Sequence, residues 1–156
     1  DSDPHGLLSR LYVSPKSPRE EPMITDRIRS AGGWIGRLGA PKDLPDWLTA
    51  DDLDYIVSQF ENAGFRGGVN YYRNFHRNWE ITENLADARV KVPTLFIAGE
   101  KDVVIAKATT EALTHTMSRV VDDLRDVVLI PEIGHWVQQE APERTNAVIL
   151  EFLRGF

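Results

Sequence analysis

The sequence contains no cysteine and no motif that would present a catalytic nucleophile. Without cysteine, the 156 residues can form no disulfide framework, no thiolate nucleophile and no cysteine-based metal site. Neither Gly-x-Asp-x-Gly nor Gly-x-Ser-x-Gly occurs, and neither His-x-x-x-His nor a carboxylate cluster with metal-ligand spacing is present. We therefore predict that the chain binds no metal and no other cofactor.

The chain also lacks an excess of positive charge and a long apolar run. Its 18 basic and 24 acidic residues give a net charge of −6, which argues against nucleic acid or an anionic membrane as a partner. No apolar run approaches the roughly 18 residues of a membrane span, and residues 1–6 have no signal-peptide core. We therefore expect a cytoplasmic protein. Because the chain starts at Asp1 and not at methionine, we also expect processing or a longer protein.

The first half of the sequence predicts helices and loops. Six of the nine prolines fall in residues 1–48, which argues against a continuous sheet there, although a short helix is predicted around residues 24–31. A longer helix is expected to begin after Thr49 as its N-cap and to stop at Gly64. A second helix is predicted from about residue 67 to residue 79.

The second half predicts alternating strands and helices. Apolar strands at residues 92–98 and 127–131 are followed by predicted helices at about 106–118 and 142–156. Near-continuous apolar strands are typical of a parallel sheet that helices cover on both faces. Since typical sheets hold about four to six strands, these two strands need partners from elsewhere. The change from an all-helical to an α/β part falls near residues 80–91.

A carboxylate and a histidine each follow one of the two predicted strands. Asp102 comes just after the first strand and His135 after the second, where open α/β sheets gather functional residues. A carboxylate bonded to one imidazole nitrogen fixes the tautomer and supports the charge when the other nitrogen takes a proton. The pair therefore indicates the acid and base of a hydrolytic triad, in the chain order of an α/β hydrolase. Alone, each residue also fits a structural role in its turn.

The helix predicted at residues 67–79 is rich in aromatic side chains. Tyr72, Phe75 and Trp79 recur at helical spacing, which a purely apolar packing face would explain. Packing alone explains less well why the residue is tyrosine and not leucine. A phenol is a neutral hydrogen-bond donor that can act as an acid toward a substrate oxygen. The arginines between residues 66 and 77 suggest a surface that binds nucleic acid, but the net negative charge of the chain argues against such a surface.

Three signatures stand out in the second part of the sequence: FRGGVNYYRN with RNWE (65–74 and 77–80), VP with GEKD (92–93 and 99–102) and GHWVQQEAPE (134–143). They resemble those of soluble epoxide hydrolases, a family of α/β hydrolases, occur in the family's order and cover about residues 45–156. The resemblance implies an α/β fold, in which residues 1–80 form the later part of a helical cap domain. Residues 81–156 would then form the C-terminal part of the core, with parallel strands and flanking helices.

The resemblance also implies a reaction and a role for four residues. In that family, an aspartate attacks an epoxide carbon while cap tyrosines donate hydrogen bonds to the ring oxygen, and a His–Asp pair activates water to hydrolyse the ester. Matched by motif, Tyr72 is a cap tyrosine, Asp102 the acid and His135 the base. Tyr72 and Trp136 would contact the substrate. The expected activity is hydrolysis of a small-molecule epoxide by water to a vicinal diol.

The chain departs from the family because the nucleophilic aspartate, the oxyanion loop and the second cap tyrosine all belong N-terminal to it. We therefore expect the N-terminal half of the same hydrolase as a partner, either as a separate chain or lost by nicking in a cap loop. The isolated 156 residues should expose a sheet edge and an apolar patch, and should show no turnover. A homodimer formed through the cap is a further expectation.

Two other interpretations stay open at this point. A haloalkane dehalogenase or an esterase would share Asp102 and His135 but would not need Tyr72, so replacing Tyr72 by phenylalanine separates these enzymes from an epoxide hydrolase. A non-catalytic α/β binding module or dimerisation piece would keep all three residues only as relics.

Overall fold

A computed structural model describes residues 2–17, 35, 38–105 and 108–156. The chain divides into two compact units, Asp1–Glu83 and Asn84–Phe156. The helix predicted around residues 24–31 lies outside the described residues. Among the residues that are described, no helix combines the length and the apolar character needed to cross a membrane.

The first unit begins with a helix that the sequence analysis did not predict. Helix α1 (Pro4–Leu11) lies in a region that we expected to be loop because of its prolines. That expectation was wrong because Pro4 stands in the first turn, where a missing N–H costs nothing. The carboxylate of Asp3 caps the helix by accepting a hydrogen bond from the Gly6 amide at 2.7 Å.

Helix α2 (Ala50–Ala63) confirms the prediction of a helix between Thr49 and Gly64. The Thr49 hydroxyl accepts from the Asp52 amide at 3.1 Å, and the Asp52 carboxylate accepts from the Thr49 amide at 3.2 Å. This reciprocal capping box fixes the start of the helix. Gly64 ends it with a φ of 68°, a conformation that favours glycine. The core of this unit consists of Leu8, Leu48, Leu53 and Val57.

The helix predicted at residues 67–79 is in fact two helices, α3 (Arg66–Arg73) and α4 (Phe75–Ile81). They meet at Asn74, whose side-chain amide donates to the carbonyl of Asn70 at 2.8 Å. The Asn70 carbonyl also accepts from the backbone amide of Asn74 at 3.2 Å, so it is shared between two donors at the junction. Neither helix has a buried residue. The 3₁₀ turn Glu83–Leu85 follows.

The second unit is built on two parallel strands, as predicted. Strand β1 (Thr94–Gly99) pairs with strand β2 (Leu124–Ile130), and Gly99 lies opposite Ile130 at the carboxyl ends. Strand β2 begins three residues before the predicted start at residue 127. Helix α5 (Thr110–Ser118) connects the strands, and the short helix α6 (Val137–Glu140) and helix α7 (Pro142–Leu153) follow β2. Residues 106–107, where we predicted the start of α5, are outside the described part.

Burial in the second unit is less complete than the apolar strands predicted. Its core cluster consists of Ile130, Val137 and Ala141, whereas residues 94–97 of strand β1 are only partly buried. Within the described residues the sheet has only these two strands, so each strand has a neighbour along one edge and none along the other. Their side chains are therefore less covered than those of a strand inside a larger sheet. Several apolar side chains of this unit are exposed: Val90, Val92, Val103, Val104, Val120, Leu150, Leu153 and Phe156.

Candidate active site

The loops that follow the two parallel strands lie side by side. The Glu100 amide donates to the Ile130 carbonyl at 2.9 Å, and the Lys101 amide donates to the Ile133 carbonyl at 2.8 Å. These bonds extend the strand pairing beyond Gly99 and connect the two loops. As a result, side chains that are about thirty residues apart in sequence are brought to one edge of the sheet.

Gly99 makes this close approach possible. A Cβ atom at this position would overlap the backbone carbonyls of Ile133 and Gly134. Because the colliding atoms belong to the backbone, a larger residue could be accommodated only if the second loop moved away. The glycine of the GEKD signature therefore sets the distance between the two loops.

Asp102 is buried at the junction, with 8% of its surface exposed. One carboxylate oxygen, Oδ2, lies 3.0 Å from Nδ1 of His135, and the other, Oδ1, accepts from the Val104 amide at 2.8 Å. Both oxygens thus have partners, and the carboxylate cannot turn without losing one of them. Hydrogen bonds to an ionised group are stronger than neutral ones, which offsets the cost of its burial.

His135 is held on one side and open on the other. Its side chain is 51% exposed, and Nε2 has no hydrogen-bond partner among the described residues. Since an ionised carboxylate only accepts, Nδ1 carries the proton and Nε2 presents a lone pair. Trp136 packs against the imidazole edge to face, with ring centroids 5.2 Å apart. An imidazole in this state can take a proton from water.

One further residue at the site was not identified from the sequence. Glu140, at the end of helix α6, accepts hydrogen bonds from the amides of Gly134 and Trp136, on either side of His135. In the sequence, Glu140 lies within the GHWVQQEAPE signature, four residues after Trp136, a spacing that places both on one face of a helical turn.

A small charge network flanks Asp102. The Lys101 ammonium lies 3.6 Å from the Glu100 carboxylate and 3.4 Å from that of Glu132. The attraction of Glu100, followed by contacts with Glu132, raises the pKa of Lys101. Glu100 also accepts from the Glu132 amide at 3.3 Å. Glu132 adopts a left-handed backbone with a φ of 64°, at the turn where the chain leaves β2.

An open groove of about 930 Å³ adjoins Asp102. It runs between the loop after β1 and the start of helix α5, and its lining includes Lys101, Val103, Thr109 and Pro131. In the described part of the chain, no group of three or more histidine, aspartate and glutamate side chains could hold a metal ion.

Of the four predicted site residues, the second unit contains Asp102, His135 and Trp136, and the structure brings these three together. Tyr72 belongs to the first unit, on helix α3, where its side chain is 69% exposed. Its ring makes edge-to-face contacts with Tyr71 and Phe75, with centroids 5.6 Å and 5.5 Å away. Its assignment as a substrate donor remains a prediction.

Two parallel strands with a covering helix between them, followed by loops that pair an aspartate with a histidine, define part of an α/β hydrolase core. No protein-family model matches the chain. The chain is 38% identical to epoxide hydrolase A of Mycobacterium tuberculosis (strain ATCC 25618 / H37Rv) over 157 aligned positions, covering 99% of this chain and 47% of that protein. It is 33% identical to epoxide hydrolase 1 of Siraitia grosvenorii, covering 96% of this chain and 46% of the relative.

Solved structures give the same result. The crystal structure of epoxide hydrolase A from Mycobacterium thermoresistibile superposes with a TM-score of 0.83 at 40% identity, over 99% of this chain and 47% of that one. An epoxide hydrolase from Vigna radiata superposes with a TM-score of 0.79 at 34% identity, over 97% and 47%. Nearly the whole of this chain is thus similar to epoxide hydrolases, and it spans about half the length of the relatives that it matches.

Proposed function

We propose that this chain supplies the acid–base half of an epoxide hydrolase, which converts an epoxide and water into a vicinal diol through a covalent ester. The nucleophilic aspartate would come from a preceding part of the same hydrolase. The hydrogen bond between Asp102 and His135, with Nε2 open, is the observation that carries this proposal. The similar proteins are named epoxide hydrolases, which favours an epoxide over a haloalkane or a carboxylic ester.

The first step forms the ester. A carboxylate oxygen of the nucleophile attacks one epoxide carbon, the carbon–oxygen bond of the ring breaks, and the ring oxygen takes the proton of the Tyr72 hydroxyl. A phenol suits this role because it is a neutral donor at pH 7 and does not compete as a nucleophile. Trp136, beside the imidazole, would contact the bound epoxide.

The second step hydrolyses the ester. Water attacks the ester carbonyl carbon while Nε2 of His135 takes a proton from it. The tetrahedral intermediate then collapses, and the diol oxygen leaves with the proton that the imidazolium returns. Asp102 orients the ring through Nδ1 and stabilises its positive charge between these two transfers. The carboxylic acid of the nucleophile then loses its proton, which returns to the Tyr72 phenolate left by the first step, so that both the carboxylate and the phenol are regenerated.

The need for a partner segment rests on two facts. The 156 residues contain no nucleophile motif, and the chain spans about half the length of its relatives. A preceding half that supplies the nucleophile and further strands would also cover exposed apolar side chains such as Val92, Val120 and Leu150. Intact mass spectrometry of the purified protein under denaturing conditions tests whether such a polypeptide accompanies the chain.

The activity is tested on the hydrolase that includes the preceding segment, with styrene oxide as substrate. We expect diol formation by the wild type and a fall of at least about 10³-fold in steady-state turnover for His135→Gln. Because only the second step needs the base, His135→Gln should accumulate a covalent adduct with the mass of the substrate. The matched control is His115→Gln, on the exposed surface of helix α5.

Oxygen labelling checks the ester. In H₂¹⁸O, a single turnover should place an unlabelled aspartate oxygen in the diol, whereas later turnovers should incorporate the label. Label in the diol of the first turnover would show direct attack by water and would contradict the covalent route. Full activity of His135→Gln would contradict the role of the base.

A further inference from the structure

The loop that carries His135 is held by one carboxylate at two points. Glu140 Oε2 accepts from the Gly134 amide at 3.0 Å, and Glu140 Oε1 accepts from the Trp136 amide at 3.1 Å. The two donors are the backbone groups immediately before and after the histidine. Both bonds are made to an ionised acceptor, which makes them stronger than bonds between neutral groups.

The carboxylate is itself well anchored. The Glu140 amide donates to the Trp136 carbonyl at 2.8 Å, so the side chain and backbone of one residue bond both backbone polar groups of Trp136. Helix α6, which Glu140 ends, packs Val137 into the core together with Ile130 and Ala141. The anchor of the loop is therefore continuous with the interior of the second unit.

We propose that Glu140 is the positioning residue of the base, which fixes the backbone of His135 so that Nδ1 stays on Asp102 while Nε2 stays open. This inference rests on the proposed role of His135. Half of the imidazole surface is exposed, so packing against other side chains gives the ring little restraint. A misplacement of about 1 Å in an active site can cost about 100-fold in rate, which is the scale of effect at stake.

The isosteric variant Glu140→Gln tests this role. Its carboxamide oxygen can accept from one of the two amides, but its NH₂ group faces the other amide and cannot accept. Glu140→Ala removes both bonds. The matched control is Glu143→Gln, which removes the same charge three residues along the chain from an exposed position in the first turn of α7. Equal effects of Glu140→Gln and Glu143→Gln would indicate a general charge effect and would overturn the proposal.

The first readout is independent of activity. By NMR on the 156-residue chain, amide hydrogen exchange at Gly134 and Trp136 should accelerate by about 10- to 100-fold in Glu140→Gln and Glu140→Ala. The Nδ1–H signal of His135 should shift or broaden as well. The Glu100 amide, bonded to Ile130, should keep its protection and so report an intact sheet. Wild-type exchange at both amides in Glu140→Ala would overturn the proposal.

The second readout uses the hydrolase with its preceding segment. Because His135 acts after the ester has formed, Glu140→Gln should lower kcat by about 10- to 100-fold and leave kcat/KM for styrene oxide nearly unchanged. A merely structural defect would lower both, and that result would overturn the proposal. If the wild type itself makes no diol, the proposed function fails, while the exchange and Nδ1–H measurements still decide whether Glu140 positions His135.

Discussion

The two regions that carry predicted site residues differ in how their side chains are held. Asp102 and His135 lie on loops that share backbone hydrogen bonds, a close contact at Gly99 and a carboxylate anchor. Tyr72 lies on helix α3, which, like α4, has no buried residue, and among the described residues its ring contacts the exposed rings of Tyr71 and Phe75. Contacts within the second unit thus fix Asp102 and His135, whereas the described contacts of Tyr72 do not restrain its side chain to a comparable degree.

The two kinds of site residue should therefore respond differently to substitution. Changes near the paired loops should alter both stability and chemistry, because the same contacts serve both. Changes on the exposed aromatic face should leave stability alone and should alter only what that face does to a bound substrate. Four sets of substitutions test this distinction.

The largest effect is expected for Tyr72→Phe on activity. Loss of a proton donor to the ring oxygen should lower epoxide turnover by about 100-fold or more in the hydrolase with its preceding segment, without a change in melting temperature. Tyr71→Phe, an equally exposed neighbour, is the control and should retain activity. Unchanged epoxide turnover in Tyr72→Phe would contradict the role of Tyr72 as the proton donor to the ring oxygen.

A pair of glycine substitutions compares the two regions directly. Gly99→Ala should destabilise the second unit by about 3 kcal/mol, because the new Cβ meets the carbonyls of Ile133 and Gly134. Gly68→Ala, in the middle of helix α3, meets no atom within 4 Å and should be neutral or stabilising by about 0.5–1 kcal/mol. Urea unfolding of both variants measures the difference, and equal effects would remove the distinction between the regions.

A pair of arginine substitutions should give a smaller contrast. The Arg89 guanidinium donates to the Asp122 carboxylate and to the carbonyls of Ser118, Arg119 and Val121 at the end of helix α5. Arg89→Ala should therefore destabilise the second unit by about 2 kcal/mol. Within the described part of the chain, the Arg73 guanidinium donates to the exposed side chain of Asn70, and Arg73→Ala should cost less than about 0.5 kcal/mol. Thermal unfolding of the two variants measures these losses of stability. An equal loss in Arg73→Ala and Arg89→Ala would contradict the prediction.

The smallest effect is expected at the capping box of helix α2. Thr49→Ala should destabilise the first unit by about 1 kcal/mol. The hydrogen bonds from the Thr49 side chain and backbone lower the pKa of Asp52 from its ordinary 3.8. A lowered pKa gives a stabilisation that is present above pH 3.8 and is lost as the pH falls through the folded-state value. The stability difference between wild type and Thr49→Ala should therefore shrink in acid, and a constant difference would contradict this linkage.

Sequence signals predicted those features that depend on local chemistry. Thr49 and Gly64 mark the ends of α2 because capping and left-handed termination are properties of single residues. Asp102 and His135 were identified because parallel strands bring their carboxyl ends to one edge. The prediction at Pro4 was wrong because proline occurs both at the first position of helices and where helices end. Only Asp3, which stands before Pro4 as the N-cap, distinguishes a helix start from a helix end here.

Features that depend on how side chains and strands meet in three dimensions, near or far in sequence, were not predicted. The interruption at Asn74 is hidden because the aromatic spacing continues across it, and the side-chain bond to Asn70 is visible only in three dimensions. Glu140 has the appearance of an ordinary surface carboxylate until the loop folds back onto it. The partial exposure of β1 could not be predicted from its apolar sequence, because burial depends on strands other than β2.

The hydrogen bond between Asp102 and His135 spans 33 residues and a parallel crossover through helix α5. Parallel pairing forms slowly because the entropy of closing the intervening chain is lost before any contact compensates for it. Helix α2, whose capping bonds are local, needs no such closure. During refolding, we therefore expect far-UV circular dichroism to recover much of its helical signal before the imidazole environment becomes native. His135 therefore reaches its native orientation late in folding. A kinetic intermediate can be rich in helix and still lack the hydrogen bond that orients this imidazole.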